Sequence, residues 1–313
     1  MLTTPLKLIR YLIELRINRS LVWLPPRPER EFAWRWGTLM AAQMPIVRAR
    51  AWKKALARGF DGPDEPPLWP AEAVLRLRIS RRTFGLGEAF FLELKLMGDA
   101  ADHAFFMETM LPALEILGCE GGPSPGANPL WGHFEIHSVR SARGRTWKPL
   151  IRDGRLDLRF KVNAGQWEKG LRPAEFRSQP VHRLAWLTPY HPPENRNGGR
   201  SSDRPPELPE LLEEIARRLG RILHGPRTDA REFVARMDAD CAGQWNRALE
   251  IAAGVRATSW RPIPTYSSSN PGFLGEQTFA PAIPPALFPF LALGQLIHPG
   301  EGALYGCGAF GLL

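Results

Sequence analysis

The stretch Leu291–Leu313 (LALGQLIHPGEGALYGCGAFGLL) gathers Gly300, Gly302, Gly306, Gly308 and Gly311, five of the 29 glycines in the chain. Glycines at this density let backbone N–H groups approach a phosphate closely and permit positive φ. A phosphate-loop NTPase is disfavoured, because no Lys-Ser/Thr pair follows the glycines. A dinucleotide fingerprint is disfavoured too, because no βαβ unit follows them. A phosphate-binding loop and a plain bulged tail both remain as readings. His298 stands just before the first loop glycine; its imidazole titrates near neutrality and suits an acid or base, or its ring fixes the loop through backbone hydrogen bonds. His133 and His137 fall at i and i+4 on an expected strand, roughly 13 Å apart along the chain, too far to share a metal ion. No metal ligand set and no cofactor are expected.

The remaining chemistry is cationic. The chain has 41 Lys+Arg against 32 Asp+Glu, and only seven of the 41 are lysine. Arginine offers a planar fork of donors that matches phosphate and stacks on bases. The net charge of +9 and a pI near 9.9 therefore favour a polyanion partner, though coding bias also exchanges Lys for Arg. Arg35 lies between Trp34 and Trp36, followed by Lys53 and Lys54. Arg217, Arg218 and Arg221 recur along one amphipathic segment, with Arg227, Arg231, Arg236 and Arg247 beyond it. They read as a comb for RNA phosphates or as a solvated face balanced by Glu213, Glu214 and Glu232. Arg261, Tyr266 and Ser267–Ser269 can hold or stack a nucleotide, or make an ordinary turn.

Elements must position these groups in a folded chain. Hydrophobic content of 44% with 11 Trp and 16 Phe excludes wholesale disorder. No run of about 20 apolar residues occurs, so no spanning helix is expected. The start lacks a basic region followed by an uninterrupted apolar run, so a secretory signal is not expected. Three scattered cysteines fit neither a disulfide framework nor a zinc site, which suits a cytoplasmic protein. Alternation predicts strands at Leu6–Ile17, Ala73–Ile79, Ala89–Met97 and Trp131–Val139. Helical spacing covers Pro28 to about Leu56, broken near Pro45, and Ala104–Leu117. Phe60–Pro70 reads as a loop. The resulting order, strand–helix–strand–strand–helix–strand, is that of a ferredoxin-like unit.

After Arg140–Arg145 the pattern begins again. Strands are expected at Leu156–Val162, His182–Leu187 and Thr258–Pro262, and helices at Glu207–Leu223, Asp229–Ala253 and Pro285–Leu293. A turn is expected at Ser267–Gly272. The fold class is α+β: two tandem ferredoxin-like (RRM-like) domains, 1–145 and 146–313. The second carries a basic helical insertion at about 205–255 and the glycine-rich loop at 298–311.

Leu293–Phe310 (LGQLIHPGEGALYGCGAF) resembles the C-terminal glycine-rich loop of the CRISPR precursor-crRNA processing endoribonucleases of the RAMP superfamily, the Cas-six family. Phe84–Gly98 (FGLGEAFFLELKLMG) is similar to the family's hairpin. Leu111–Gly122 with Phe134–Val139 resembles the segment closing its first domain. Leu184–Pro189 (LAWLTP) and Trp260–Asn270 (WRPIPTYSSSN) resemble strands of its second. The matches run in order over most of the chain.

The resemblance implies two ferredoxin-like domains with a basic cleft that binds the CRISPR repeat stem-loop. It also implies metal-independent cleavage by 2′-hydroxyl attack, leaving a 2′,3′-cyclic phosphate, with the product retained alongside other CRISPR effector subunits. Residues Lys53, Lys54, Arg217, Arg218, Arg221, Arg227, Arg231, Arg261, Tyr266, Ser267, Gly300, Gly302, Gly306 and Gly308 would contact RNA. Many relatives carry a catalytic histidine on the first helix, but here no histidine precedes His103. The first helix offers Arg35, which stabilises a phosphorane but is no base, its pKa exceeding about 12. Arg35 and His298 are therefore the expected catalytic residues, with slow, positioning-dominated cleavage. The alternative is a crRNA-binding structural subunit without nuclease activity.

Overall fold

The computed structural model describes residues 6–25, 28–45, 72–120 apart from 80, 130–167 apart from 145, 153, 158 and 160, 180–193, 204–263 apart from 226, and 272–313. The chain forms two compact units, Leu6–Leu171 and Arg172–Leu313 with Met1–Pro5.

The first unit holds β1 (Leu8–Ile17), β2 (Leu21–Trp23), α1 (Pro28–Gln43), β3 (Ala73–Arg78), β4 (Thr83–Gly85) and β5 (Ala89–Met97). A helical run follows, with one π-turn at Phe106–Met110 and α2 at Leu111–Cys119, and then β6 (Phe134–Arg143). Neighbours in the main sheet run β3-β5-β1-β6, all antiparallel. Alternation along β1 and β5 explains the layering. Tyr11, Ile13 and Leu15 pair with Leu94, Leu92 and Phe90, and all six are buried. They share one sheet face with the buried helix positions Phe32, Trp36 and Met40, spaced four apart on α1. The Trp36 indole N–H donates to the Met110 carbonyl at 2.7 Å, satisfying a polar atom that burial would otherwise strand.

The unit does not stop at 145. β7 (Thr146–Arg152) and β8 (Arg155–Leu156) extend the same sheet beyond β6. Of the strand expected at Leu156–Val162, only Leu156 is in a strand among the described residues; those beyond it are irregular, with the Asp157 carboxylate accepting from the Arg159 backbone and side chain. β2 and β4 form a small separate two-stranded antiparallel sheet. Lys53, Lys54 and the Phe60–Pro70 loop lie outside the described residues, as do Tyr266 and Ser267.

The second unit repeats the same order. It contains β9 (Val181–Tyr190), α3 (Leu208–His224), α4 (Ala230–Ala235), α5 (Ala239–Ala253), β10 (Arg256–Pro262), β11 (Phe273–Ile283), α6 (Phe288–Ile297) and β12 (Phe310–Leu312). Its sheet runs β10-β11-β9-β12, again antiparallel. The three helices α3–α5 occupy the crossover from β9 to β10. α3 begins with a capping box between Glu207 and Glu210. Glu207 also accepts from the Ala257 N–H at 3.0 Å, and the Gln277 side-chain amide donates to the Pro206 carbonyl at 3.0 Å. The start of α3 is thus fastened to β10 and β11.

On the face of the first sheet opposite α1, buried Glu93 accepts from Arg10 at 2.8 Å and Arg78 at 2.7 Å. Burial raises its pKa, but Lys95, Arg10 and Arg78 outweigh that and hold it below the ordinary carboxylate range. Lys95, equally buried, is pushed down to about 7 by desolvation, against the pull of Glu93. Removing one partner of such a group leaves charge buried and uncompensated. Glu93→Ala is therefore expected to destabilise the protein by about 3–5 kcal/mol in urea unfolding. Both groups make stability rise with pH, Glu93 in the acid range and Lys95 in the alkaline one. Glu93 contributes above its unfolded pKa, and that contribution disappears as pH falls through the lower folded value. The lowered Lys95 value makes stability rise with pH from about 7 towards its unfolded value. Lys95→Met should flatten that alkaline rise in thermal melts taken across the range.

Candidate functional site

Three regions hold the sequence-predicted residues. The first is the end of the first unit where β1 finishes, β6 begins and α1 starts. Arg35 follows Trp34 on α1; its guanidinium carbon lies 5.0 Å from the Trp131 ring centroid and 5.6 Å from that of Trp34. Glu31, one turn earlier, approaches it at 3.8 Å. Trp131 is buried, whereas Trp34 is half exposed. Arg35 is therefore held against an aromatic floor, where cation–π attraction is worth about 0.5–2 kcal/mol. The backbone N–H of Asn18 donates to the His133 carbonyl at 3.2 Å, joining the end of β1 to the approach to β6. Here Arg19 donates to His133 Nε2 at 2.5 Å, and Arg16 to His137 Nε2 at 2.8 Å. Desolvation and the Arg19 charge lower the His133 pKa. Spacing alone raises these histidines only as a metal pair; each instead contacts its own arginine.

The second region is the glycine-rich loop. Gly300, Gly302, Gly306 and Gly308 all have positive φ, from 70° to 88°. The loop folds onto the end of β9. The Gly308 N–H donates to the Pro189 carbonyl, the Glu301 N–H to the His191 carbonyl, and the Thr188 hydroxyl to the Gly306 carbonyl at 2.7 Å. A Cβ on Gly308 would sit 2.0 Å from the Pro299 oxygen, and one on Gly300 would sit 2.6 Å from the His191 oxygen. Close backbone approach within the protein thus accounts for Gly300 and Gly308, and the N–H groups of Glu301, Tyr305, Gly306, Cys307, Gly308 and Ala309 bond inside the fold.

His298 caps α6, donating its N–H to the Gly294 carbonyl at 3.0 Å with φ of 60°. At 1% exposure its ring is enclosed, which suits the reading in which it fixes the loop better than that of an acid or base. A side chain at that φ is strained by order 1–3 kcal/mol and persists because the packing determines it.

The third region is the helical crossover. Arg218 is buried, and its Nε donates to the Ile297 carbonyl at 3.3 Å, so it supports the end of α6 rather than belonging to an exposed comb. The signal is present in the sequence: Arg218 lies three residues after Ile215 and seven after Leu211, on the buried stripe. Arg217 pairs with the largely buried Glu214, whose pKa burial raises against the pull of Arg217. Arg221 is half-buried, while Arg227, Arg231 and Arg247 are exposed. Arg261 is 76% exposed on β10 and reaches Glu276 at 3.2 Å. Among the described residues no group of three or more His, Cys, Asp or Glu could hold a metal ion. No helix among them is long and apolar enough to cross a membrane.

The fold has relatives among solved structures. A Cas6 product complex superposes with a TM-score of 0.53 at 16% identity, covering 98% of this chain and 100% of that one. Thermus thermophilus Cas6 gives 0.50 at 15% identity, covering 99% and 100%. A partial Cas6-RT-Cas1–Cas2 complex gives 0.53 at 12% identity, with all of this chain matching 47% of that one. The chain therefore has a Cas6-like fold over nearly its whole length. No protein-family model and no curated protein sequence matches it.

The loop geometry yields one expectation. Gly308→Ala combines a disfavoured φ with a backbone collision, and should lower stability by about 2 kcal/mol or more in thermal unfolding, whether or not nucleic acid is present.

Proposed function

We propose that the chain binds CRISPR repeat RNA and processes precursor crRNA, as two tandem ferredoxin-like domains closed by the glycine-rich loop. The observation that carries this reading is the whole-length likeness to a Cas6 product complex, covering 98% of one chain and 100% of the other. The repeated strand order of the two sheets supports it.

Cleavage would proceed by attack of a 2′-hydroxyl on the adjacent phosphorus, leaving a 2′,3′-cyclic phosphate and needing no metal. Arg35, anchored on Trp131, supplies charge to the phosphorane. The exposed Arg227 and Arg231, with Arg221 and Arg261, supply the phosphate contacts, and Gly300–Gly308 shape the surface beside them. The product stays bound and joins other CRISPR proteins in the cytoplasm; the Cas6-RT-Cas1–Cas2 relative supports such company.

A second reading, a crRNA-binding subunit without nuclease activity, is favoured by two observations. The first helix offers Arg35 in place of histidine, and His298 is enclosed.

Incubating the full chain with labelled repeat RNA in EDTA separates the two. One cut beside the hairpin, abolished by a 2′-deoxy substitution at the scissile nucleotide, is expected. Tight binding without cutting selects the structural subunit, and failure to bind any repeat RNA removes both. In the same binding assay, Arg227→Ala with Arg231→Ala should reduce the salt slope by about 0.9 for each duplex phosphate no longer neutralised. An unchanged slope would take α4 and the turn before it off the RNA surface.

A further inference from the structure

The seven histidines of the chain differ in surroundings. His298 is enclosed. His103 meets the Tyr11 hydroxyl at 3.0 Å, and His182 lies 3.3 Å from the Phe279 carbonyl. The His191 ring is pressed against Gly272, where a Cβ would come within 2.5 Å of it, and His224 lies against the Phe233 ring. His133 and His137 are each bonded to a guanidinium group.

A guanidinium has only donors, so in the Arg19–His133 pair Nε2 is the acceptor and the imidazole neutral, with its proton on Nδ1. Among the described residues neither Arg16 nor Arg19 reaches a carboxylate within ion-pair distance. Glu135, the register partner of Arg16 on β6, makes no ion pair with it. Arg16 and Arg19 thus meet two imidazoles near the end of β1 with no carboxylate of their own, while Arg35 on α1 is held on Trp131 beside Glu31 at 3.8 Å. Such a cluster is completed by an external anion. The outer pair is the exposed one, whereas Arg16–His137 is part-buried.

We propose that His133 takes the 2′-hydroxyl proton in RNA cleavage while Arg19 passes from its ring to the scissile phosphate. This rests on the nuclease reading above and supplies the imidazole that the first helix lacks. The O2′ proton moves to Nε2, the O2′–P bond forms and the P–O5′ bond breaks. The leaving O5′ takes a proton from water, and the hydroxide so formed recovers the proton from the imidazolium. Arg19 then faces the non-bridging oxygens that gain charge. Its release from His133 frees the Nε2 lone pair as phosphate arrives, coupling RNA binding to activation of the base. The charged group facing the ring is Arg19 from the β1–β2 turn, with the Gly132 backbone beside it.

The test is single-turnover cleavage of labelled repeat RNA in EDTA across pH, at saturating protein. The wild-type rate should rise from acid pH to a plateau. His133→Ala and His133→Gln should cut about 10²–10⁴-fold more slowly, bind RNA as before, lose the acid limb and regain rate with added imidazole in the alanine variant. Arg19→Ala should lose both rate and affinity. Wild-type rate and an intact acid limb in both His133 variants overturn this assignment alone, as does a loss of rate that comes with weakened binding and resists imidazole. Wild-type protein that binds repeat RNA without cutting it overturns the nuclease reading as well.

Discussion

The second unit depends on how closely its last backbone segment can approach the end of β9. Two strands and the loop are referred to this strand: β11 and β12 flank it, and the turns of the glycine-rich loop return to Pro189 and His191. The Thr188 hydroxyl stands between the Gly306 carbonyl and the Ala309 N–H, closing the loop on the strand at both points. A side chain at Gly300 or Gly308 would occupy space already filled by backbone. Glycine is thus required first by the protein's own packing, and whatever shape the loop offers outward is a consequence of that constraint.

Charge is distributed by a different rule. Where arginines meet carboxylates, as around Glu93, they fasten strands, and their electrostatics are internal. Where Arg16 and Arg19 meet imidazoles, at the junction of β1 and β6, no carboxylate among the described residues pairs with them. The excess of +9 is therefore not one smooth surface property. It is the remainder after structural pairs are removed, and it is concentrated at particular places.

Elements with clear periodicity are legible in the sequence. β1, α1, β5 and α3 lie where alternation or helical spacing puts them, because an apolar face must be buried; α6, apolar nearly all round, runs from Phe288 to Ile297, past the expected end at Leu293. β11 carries no such signal: Phe273–Ile283 mixes Gly275, Pro281 and polar residues without alternation, and becomes a strand through its partners β9 and β10. β7 is hidden by Pro149 and by the Arg-rich connector before it. Among site residues, Arg35 stands out because it sits between tryptophans, but its aromatic floor, Trp131, is distant in sequence. Arg218 looks like part of a comb when its charge is weighed ahead of its position on the buried stripe. His298 belongs to the recognised motif, and only packing reveals that the motif encloses it.

The double duty of Glu207 carries one more consequence. The same residue caps α3 and accepts the Ala257 N–H, while Gln277 holds the carbonyl just before it. The first turn of the helix cannot fray without releasing the edge strand, and the edge strand cannot peel away without uncapping the helix. The two belong to one cooperative opening unit, so their amides should share a common protection against hydrogen exchange although some 50 residues separate Glu207 from Ala257.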